Sequence, residues 1–202
     1  MRQKADKLLH IRERARACFR AGNSAESAAL YVRILSKYKK DPEALQMLGT
    51  LSQRAGRLEE AEQYFRSYLR TDKKNHEVYY QLGTVLVGMQ RGSEAVPFLR
   101  EAVKLRRNFF DAWVMLGNLY AWSGKLGQSI DAYHAAIRAN PNHAVPYCNL
   151  GNVLADSGKS REAYASWQKA LELDPRYAAA HSNMLLCMNY ESRFAHTEVY
   201  EA

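Results

Sequence analysis

The chain has 202 residues, 29 of them Lys or Arg and 21 Asp or Glu, for a formal charge of +8. Its 47% hydrophobic and 25% charged residues fit a folded, water-soluble protein and exclude a disordered chain, a collagen-like fibre and a membrane bundle. Five Pro and 11 Gly are too few turn signals for a protein of many short strands, so long helices are expected.

Cys18, Cys148 and Cys187 stand far apart and form no CxxC pair, so their spacing supports neither a disulfide framework nor a zinc site, and reduced, buried thiols are expected. No apolar run approaches the roughly 18 residues that span a bilayer. The basic N-terminus is not followed by the apolar stretch of a signal peptide, which makes a cytoplasmic protein without a membrane partner the expectation. Residues 1–40 hold 11 basic and three acidic side chains and so carry the whole +8, the rest of the chain being balanced. Gripping nucleic acid along the chain would need a continuous basic stripe. Phosphate-seeking behaviour is therefore confined to the first fifth, and nucleic acid is disfavoured as a partner.

Leu48 and Gly49, Leu82 and Gly83, Leu116 and Gly117, and Leu150 and Gly151 recur at one constant interval. In chain order, a degenerate unit spans 8–41, where Ile11, Gly22, Ser27, Tyr31 and Ile34 keep the pattern but Arg14 and Ala15 replace Leu and Gly. Four full units follow at 42–75, 76–109, 110–143 and 144–177. Each places a bulky residue three before its Leu (Leu45, Tyr79, Trp113, Tyr147) and a small one twelve after its Gly (Ala61, Ala95, Ser129, Ala163). A large residue stands four further on (Phe65, Leu99, Tyr133, Trp167). Bulky residue, Leu and Gly share one face of a helix of period 3.6. The bare Gly is expected to admit the second helix of the pair, with the small residue as its matching surface.

Gly22, Gly56, Gly124 and Gly158 sit on the same grid between the two helices, where a left-handed backbone favours Gly. Ser24 and Ser160 are expected N-caps. In the 76–109 unit Gln90 takes the turn position, flanked by Gly88 and Gly92, so that turn is expected to be reshaped, and Pro97 falls in the first turns of the following helix. After Pro175 another helix begins near Ala178, with Leu185 in place of Gly and an apolar run from Met184 to Met188. A terminal helix of a repeat array needs a polar outer face, so this one is expected to be covered. Residues 178–190 thus form an extra helix, and 191–202 a tail or the start of a further segment, with Thr197–Glu201 resembling the first turn of a helix.

The pattern resembles the tetratricopeptide repeat, a helix-turn-helix unit of the same period, and Trp113, Leu116, Gly117 and Tyr120 match its first half outright. The resemblance implies an all-α, right-handed solenoid of about five repeats whose concave groove is lined by the first helices and takes a protein or peptide partner. In such repeats the groove receives the residues two before the Gly and one, four and five after it. Asn149 and Asn183 occupy the first of these positions, Asn118 and Asn152 the second, and Trp122 stands five after Gly117. Asn donates and accepts at once, so a row of them suits the main chain of an extended peptide, with Trp122 as an aromatic anchor. The alternatives are that these Asn bond neighbouring helices and that Trp122 is core.

Arg12, Arg16 and Arg20, spaced i, i+4, i+8, line one stripe of the first helix on the groove side, suited to an acidic peptide, phosphate or nucleic acid. A solvated capping helix is the alternative, and Phe19 alone offers base stacking. Some relatives clamp a terminal carboxylate with Asn and cations, but the companion positions here hold Val114, Val145 and Ala179. No P-loop, nucleophile elbow or HExxH motif occurs, so no catalysis, metal or cofactor is expected.

A second resemblance lies at 180–190 and 200–202, which look like the junction between repeats and glycosyltransferase domain in bacterial O-GlcNAc transferase and SPINDLY-like proteins. It implies an Asn ladder for an acceptor polypeptide, matched by Asn149 and Asn183 but not by Met47, Gln81 or Met115, and a nucleotide-sugar site in a domain beyond residue 202. The functional expectation is a protein-interaction scaffold, read as the substrate-recruiting region of such an enzyme. The alternatives are a free-standing adaptor that self-associates or docks through its last helix and, more weakly, polyanion binding by the first helix.

Overall fold

The computed structural model describes residues 2–186, with side chains from residue 8 onward. The expected turn of helix at 197–201 and the part of the second resemblance beyond 186 lie outside the described residues. Those described form helices joined by short turns, with no strand among them. Two compact units divide the chain, Met1–Leu105 and Arg106–Ala202. The first unit contains α1 (Arg2–Arg20), α2 (Ser24–Lys37), α3 (Pro42–Arg54), α4 (Leu58–Leu69), α5 (His76–Gly88) and α6 (Gly92–Leu105). The second contains α7 (Phe110–Trp122), α8 (Leu126–Ala139), α9 (Ala144–Asp156), α10 (Ser160–Leu173) and a helical segment at 178–186. Helices α3, α5, α7 and α9 open at or next to the starts that the repeat grid requires.

Local chemistry sets these boundaries. Asp41 caps α3 by accepting from the Ala44 N–H, with Pro42 in the first turn where its missing N–H costs least. Asn23 caps α2 and Asn75 caps α5 in the same way. Ser24 and Ser160 are the first helical residues and not the caps expected of them: Asn23 caps one helix and Lys159, without a side-chain bond, precedes the other. Gly22, Gly56, Gly124 and Gly158 all have φ between 70° and 79°, the left-handed turn that the sequence requires. Gln90 takes that conformation too, at φ 60°. The expected reshaping therefore does not occur. The Arg91 N–H reaches the Leu86 carbonyl at 2.8 Å, as the Arg57 N–H reaches that of Ser52 at 2.9 Å. Continuing the same hydrogen-bonded turn outweighs the steric cost of a Cβ there.

Within each unit, a first helix packs on the second helix of its own pair and the next pair stacks on it. What lies on each Gly is the large residue sixteen positions later, where the small residue was expected. A Cβ on Gly49 would come within 2.5 Å of the Phe65 ring, on Gly83 2.7 Å from Leu99, on Gly117 2.5 Å from Tyr133 and on Gly151 2.5 Å from Trp167. Where the small residue is Ser, it bonds the neighbouring backbone: Ser129 Oγ donates to the Gly117 carbonyl at 2.8 Å, and Ser27 Oγ to the Ala15 carbonyl at 2.9 Å. Tyr133, Cys148, Leu150, Val153 and Trp167 form the core of the second unit; Tyr31, Ile34, Leu48 and Leu51 are central to the first. Cys148 is buried as expected, whereas Cys18 is only half-buried.

Candidate functional site

The residue after each Gly is matched to the side chain that covers that Gly. Where the covering side chain is apolar, Phe65 or Leu99, the next residue is Thr, whose hydroxyl bonds back along its own helix: Thr50 to the Gln46 carbonyl at 3.0 Å and Thr84 to that of Tyr80 at 2.9 Å. Where the covering ring carries a polar hydrogen, the next residue is Asn and accepts it. Tyr133 Oη donates to Asn118 Oδ1 at 2.6 Å, and Trp167 Nε1 to Asn152 Oδ1 at 2.9 Å. Burial pushes the Tyr133 phenol up to about 12, so it remains a protonated donor at neutral pH.

The same oxygens accept a second bond from the next first helix. Asn149 Nδ2 reaches Asn118 Oδ1 at 3.1 Å, and Asn183 Nδ2 reaches Asn152 Oδ1 at 2.7 Å. Gln81 Nε2 makes the equivalent bond to Thr50 Oγ1 at 3.2 Å in the first unit. An indole N–H only donates, so the Asn152 amide is fixed with Oδ1 toward Trp167 and its NH2 directed away. All four predicted Asn are thus brought together on the first-helix face of the second unit, half-buried, as two interlocked pairs. They bond neighbouring helices, as one of the two expectations has it: Asn118 and Asn152 accept through Oδ1 and Asn149 and Asn183 donate through Nδ2, which leaves the NH2 groups of Asn118 and Asn152 unused by those bonds.

Trp122, the last residue of α7, is 76% exposed and not part of the core. A cleft of about 630 Å³ opens beside this face, walled by Asn152, Asp156, Trp167, Asn183 and Leu186 among others. Asp156 was not singled out in the sequence. The signal was present, because it stands one repeat period after Trp122, in the same column. Beyond it, Leu185 and Leu186 are 59% and 67% exposed, while Met184 packs on the core. His143 caps α9 through Nδ1, which accepts from the Val145 N–H at 3.3 Å, and its ring lies 4.9 Å from that of Phe110.

The arginine stripe is placed differently from the Asn. Arg12 pairs with Asp41, and Arg16 grips Glu43 with two bonds of 2.6 and 2.7 Å. Tyr31 Oη adds a third at 3.2 Å. Burial works to raise the Glu43 carboxyl, but the bonds from Arg16 and Tyr31 outweigh it and hold the group below the usual carboxylate range. Arg20 is exposed at the end of α1, and the Phe19 ring beside it is covered by the Arg54 guanidinium, 4.6 Å from its centroid. Among the described residues no helix is long and apolar enough to cross a membrane.

Profiles described as tetratricopeptide repeat match residues 12–76, 76–109 and 144–177, and one described as TPR repeat matches 117–158. No curated protein sequence matches the chain. Among solved structures, YrrB, described as a TPR protein with an unusual peptide-binding site, is 25% identical over 85% of this chain and 89% of its own, with a TM-score of 0.79. A structure of MamA protein is 23% identical over 86% of this chain and 95% of its own, with a TM-score of 0.79. MamA from Desulfovibrio magneticus RS-1 is 23% identical over 85% and 97%, with a TM-score of 0.77. The two MamA likenesses speak to fold alone.

Proposed function

The chain is built of tetratricopeptide repeats, and from that premise we propose that it is a protein-interaction scaffold whose first-helix face holds an extended polypeptide. Asn118, Asn149, Asn152 and Asn183 contact the partner's main chain and Trp122 anchors one of its side chains. The observation that carries this reading is the fixed Asn152 amide: its oxygen is held by Trp167 and Asn183, and its N–H groups are left to meet a carbonyl. The likeness to YrrB, whose description names a peptide-binding site, supports the same reading.

The test is a peptide array probed with the full chain and with Asn149→Ala plus Asn183→Ala. Loss of most bound spots in the double variant, with helicity by circular dichroism retained, is the expected result. An unchanged array would remove the Asn from the site.

A narrower reading makes this array the substrate-recruiting region of an O-GlcNAc-transferase-like protein. It rests on the likeness of residues 180–190 and on Asn149 and Asn183, and none of the matches named above is a glycosyltransferase. Reading the gene past codon 202 tests it. The alternative of an adaptor that docks or self-associates through its last helix is favoured by the exposure of Leu185 and Leu186. Polyanion binding stands lower, since Arg12 and Arg16 are already matched to Asp41 and Glu43.

A further inference from the structure

The cleft of the second unit has a sign. Of the described residues that line it, Asp156 is the one that ionises, the others being amides, small or apolar side chains, a serine and an indole. Asp156 is also the last residue of α9, at the negative end of the helix dipole. A carboxylate is disfavoured at that end of a helix, so the position is a local excess of negative potential that a cation relieves.

A second observation lies on the adjacent first helix. Trp122 ends α7 at the equivalent position, one repeat period earlier, and α7 and α9 lie side by side, joined by the bond from Asn149 to Asn118. An indole with 76% of its surface exposed offers a π face to a cation. The repeat therefore sets a carboxylate and an open indole in the same register on neighbouring helices, one helical turn after Asn152 and Asn118 respectively.

We propose that this cleft selects an extended segment carrying an arginine or lysine, its cationic head between the Asp156 carboxylate and the Trp122 face and its main chain held by Asn152 and Asn183. The inference rests on the peptide-binding reading of this face and specifies the partner's chemistry. It also sets the site apart from a clamp for a terminal carboxylate. That group would meet Asp156, and the companion positions Val114, Val145 and Ala179 supply no cation.

The experiment uses fluorescein-labelled, C-terminally amidated peptides identical except for a central Arg, Lys, Gln or Glu, titrated into the full chain by fluorescence anisotropy. The Arg and Lys peptides are expected to bind about tenfold more tightly than the Glu peptide. Asp156→Asn should weaken the Arg peptide about threefold and leave the Gln peptide unchanged. Asp156→Lys should invert the order in favour of Glu. Trp122→Ala should weaken Arg and Lys alike, with Trp122→Phe keeping most of the affinity. Asn183→Ala should weaken every peptide by the same factor. Equal affinity for all central residues, or a ranking that survives Asp156→Lys, would overturn the cation preference while a uniform Asn183→Ala effect kept the main-chain reading. Binding indifferent to Asn183→Ala would instead overturn the main-chain reading.

Discussion

Gln90 is where a single residue departs most from its local preference. A non-glycine side chain at φ 60° costs roughly 1 kcal/mol or more against Gly, and Gln90 is exposed, so no packing offsets the cost. Gln90→Gly is expected to stabilise the protein by about 0.5–1 kcal/mol, read as a higher midpoint of urea unfolding followed by circular dichroism. A lower midpoint would mean that the Gln90 side chain has a stabilising role the turn geometry does not reveal. The same position marks a limit of sequence reading. Gly88 and Gly92 beside it pointed to a different turn, whereas the unbroken hydrogen-bond pattern from Leu86 to Arg91 imposes the common one.

At the scale of helices, ion pairs centred on Glu62 tie α4 to the start of α6 in the first unit. Glu62 of α4 accepts from Arg66 of the same helix at 2.8 Å and from Arg91, just before α6, at 2.7 Å. Burial acts to raise the Glu62 carboxyl, but the bonds from Arg91 and Arg66 outweigh it, leaving the group below its ordinary value. A carboxyl depressed in the folded state contributes stability that is present above its unfolded pKa of about 4.3 and lost as pH falls through the folded value. Urea midpoints measured from about pH 5 down to pH 3 should therefore fall more steeply for the wild type than for Glu62→Gln. Equal slopes would show that the pair does not couple to folding.

These helices were legible in the sequence because Leu, Gly and the large residue sixteen positions later report a fixed helix contact. Their side-chain partners were less so. Arg12 and Arg16 read as a free basic stripe until α3 brings Asp41 and Glu43 against them, and no spacing within one helix reveals a neighbour on the next. The matching of Thr to Phe65 and Leu99, and of Asn to Tyr133 and Trp167, was written in the sequence as two columns of the repeat. Its meaning needs the observation that the large residue, and not the small one, sits on the Gly.

Across the whole chain, charge and chemistry separate. The excess of basic side chains lies in residues 1–40, where acids of α2 and α3 take up Arg12, Arg14 and Arg16, while the second unit presents amides, an exposed indole and a carboxylate. In the proposed function those amides meet a partner's main chain. The most direct measurement is a titration of the 15N-labelled full chain with the amidated central-Arg peptide, following the side-chain NH2 resonances. Those of Asn152 and Asn183 are expected to shift in step with binding, while those of Asn23 and Asn75, engaged on Glu26 and Tyr68 in the first unit, stay still. Saturable binding that leaves the Asn152 and Asn183 resonances unmoved would contradict it.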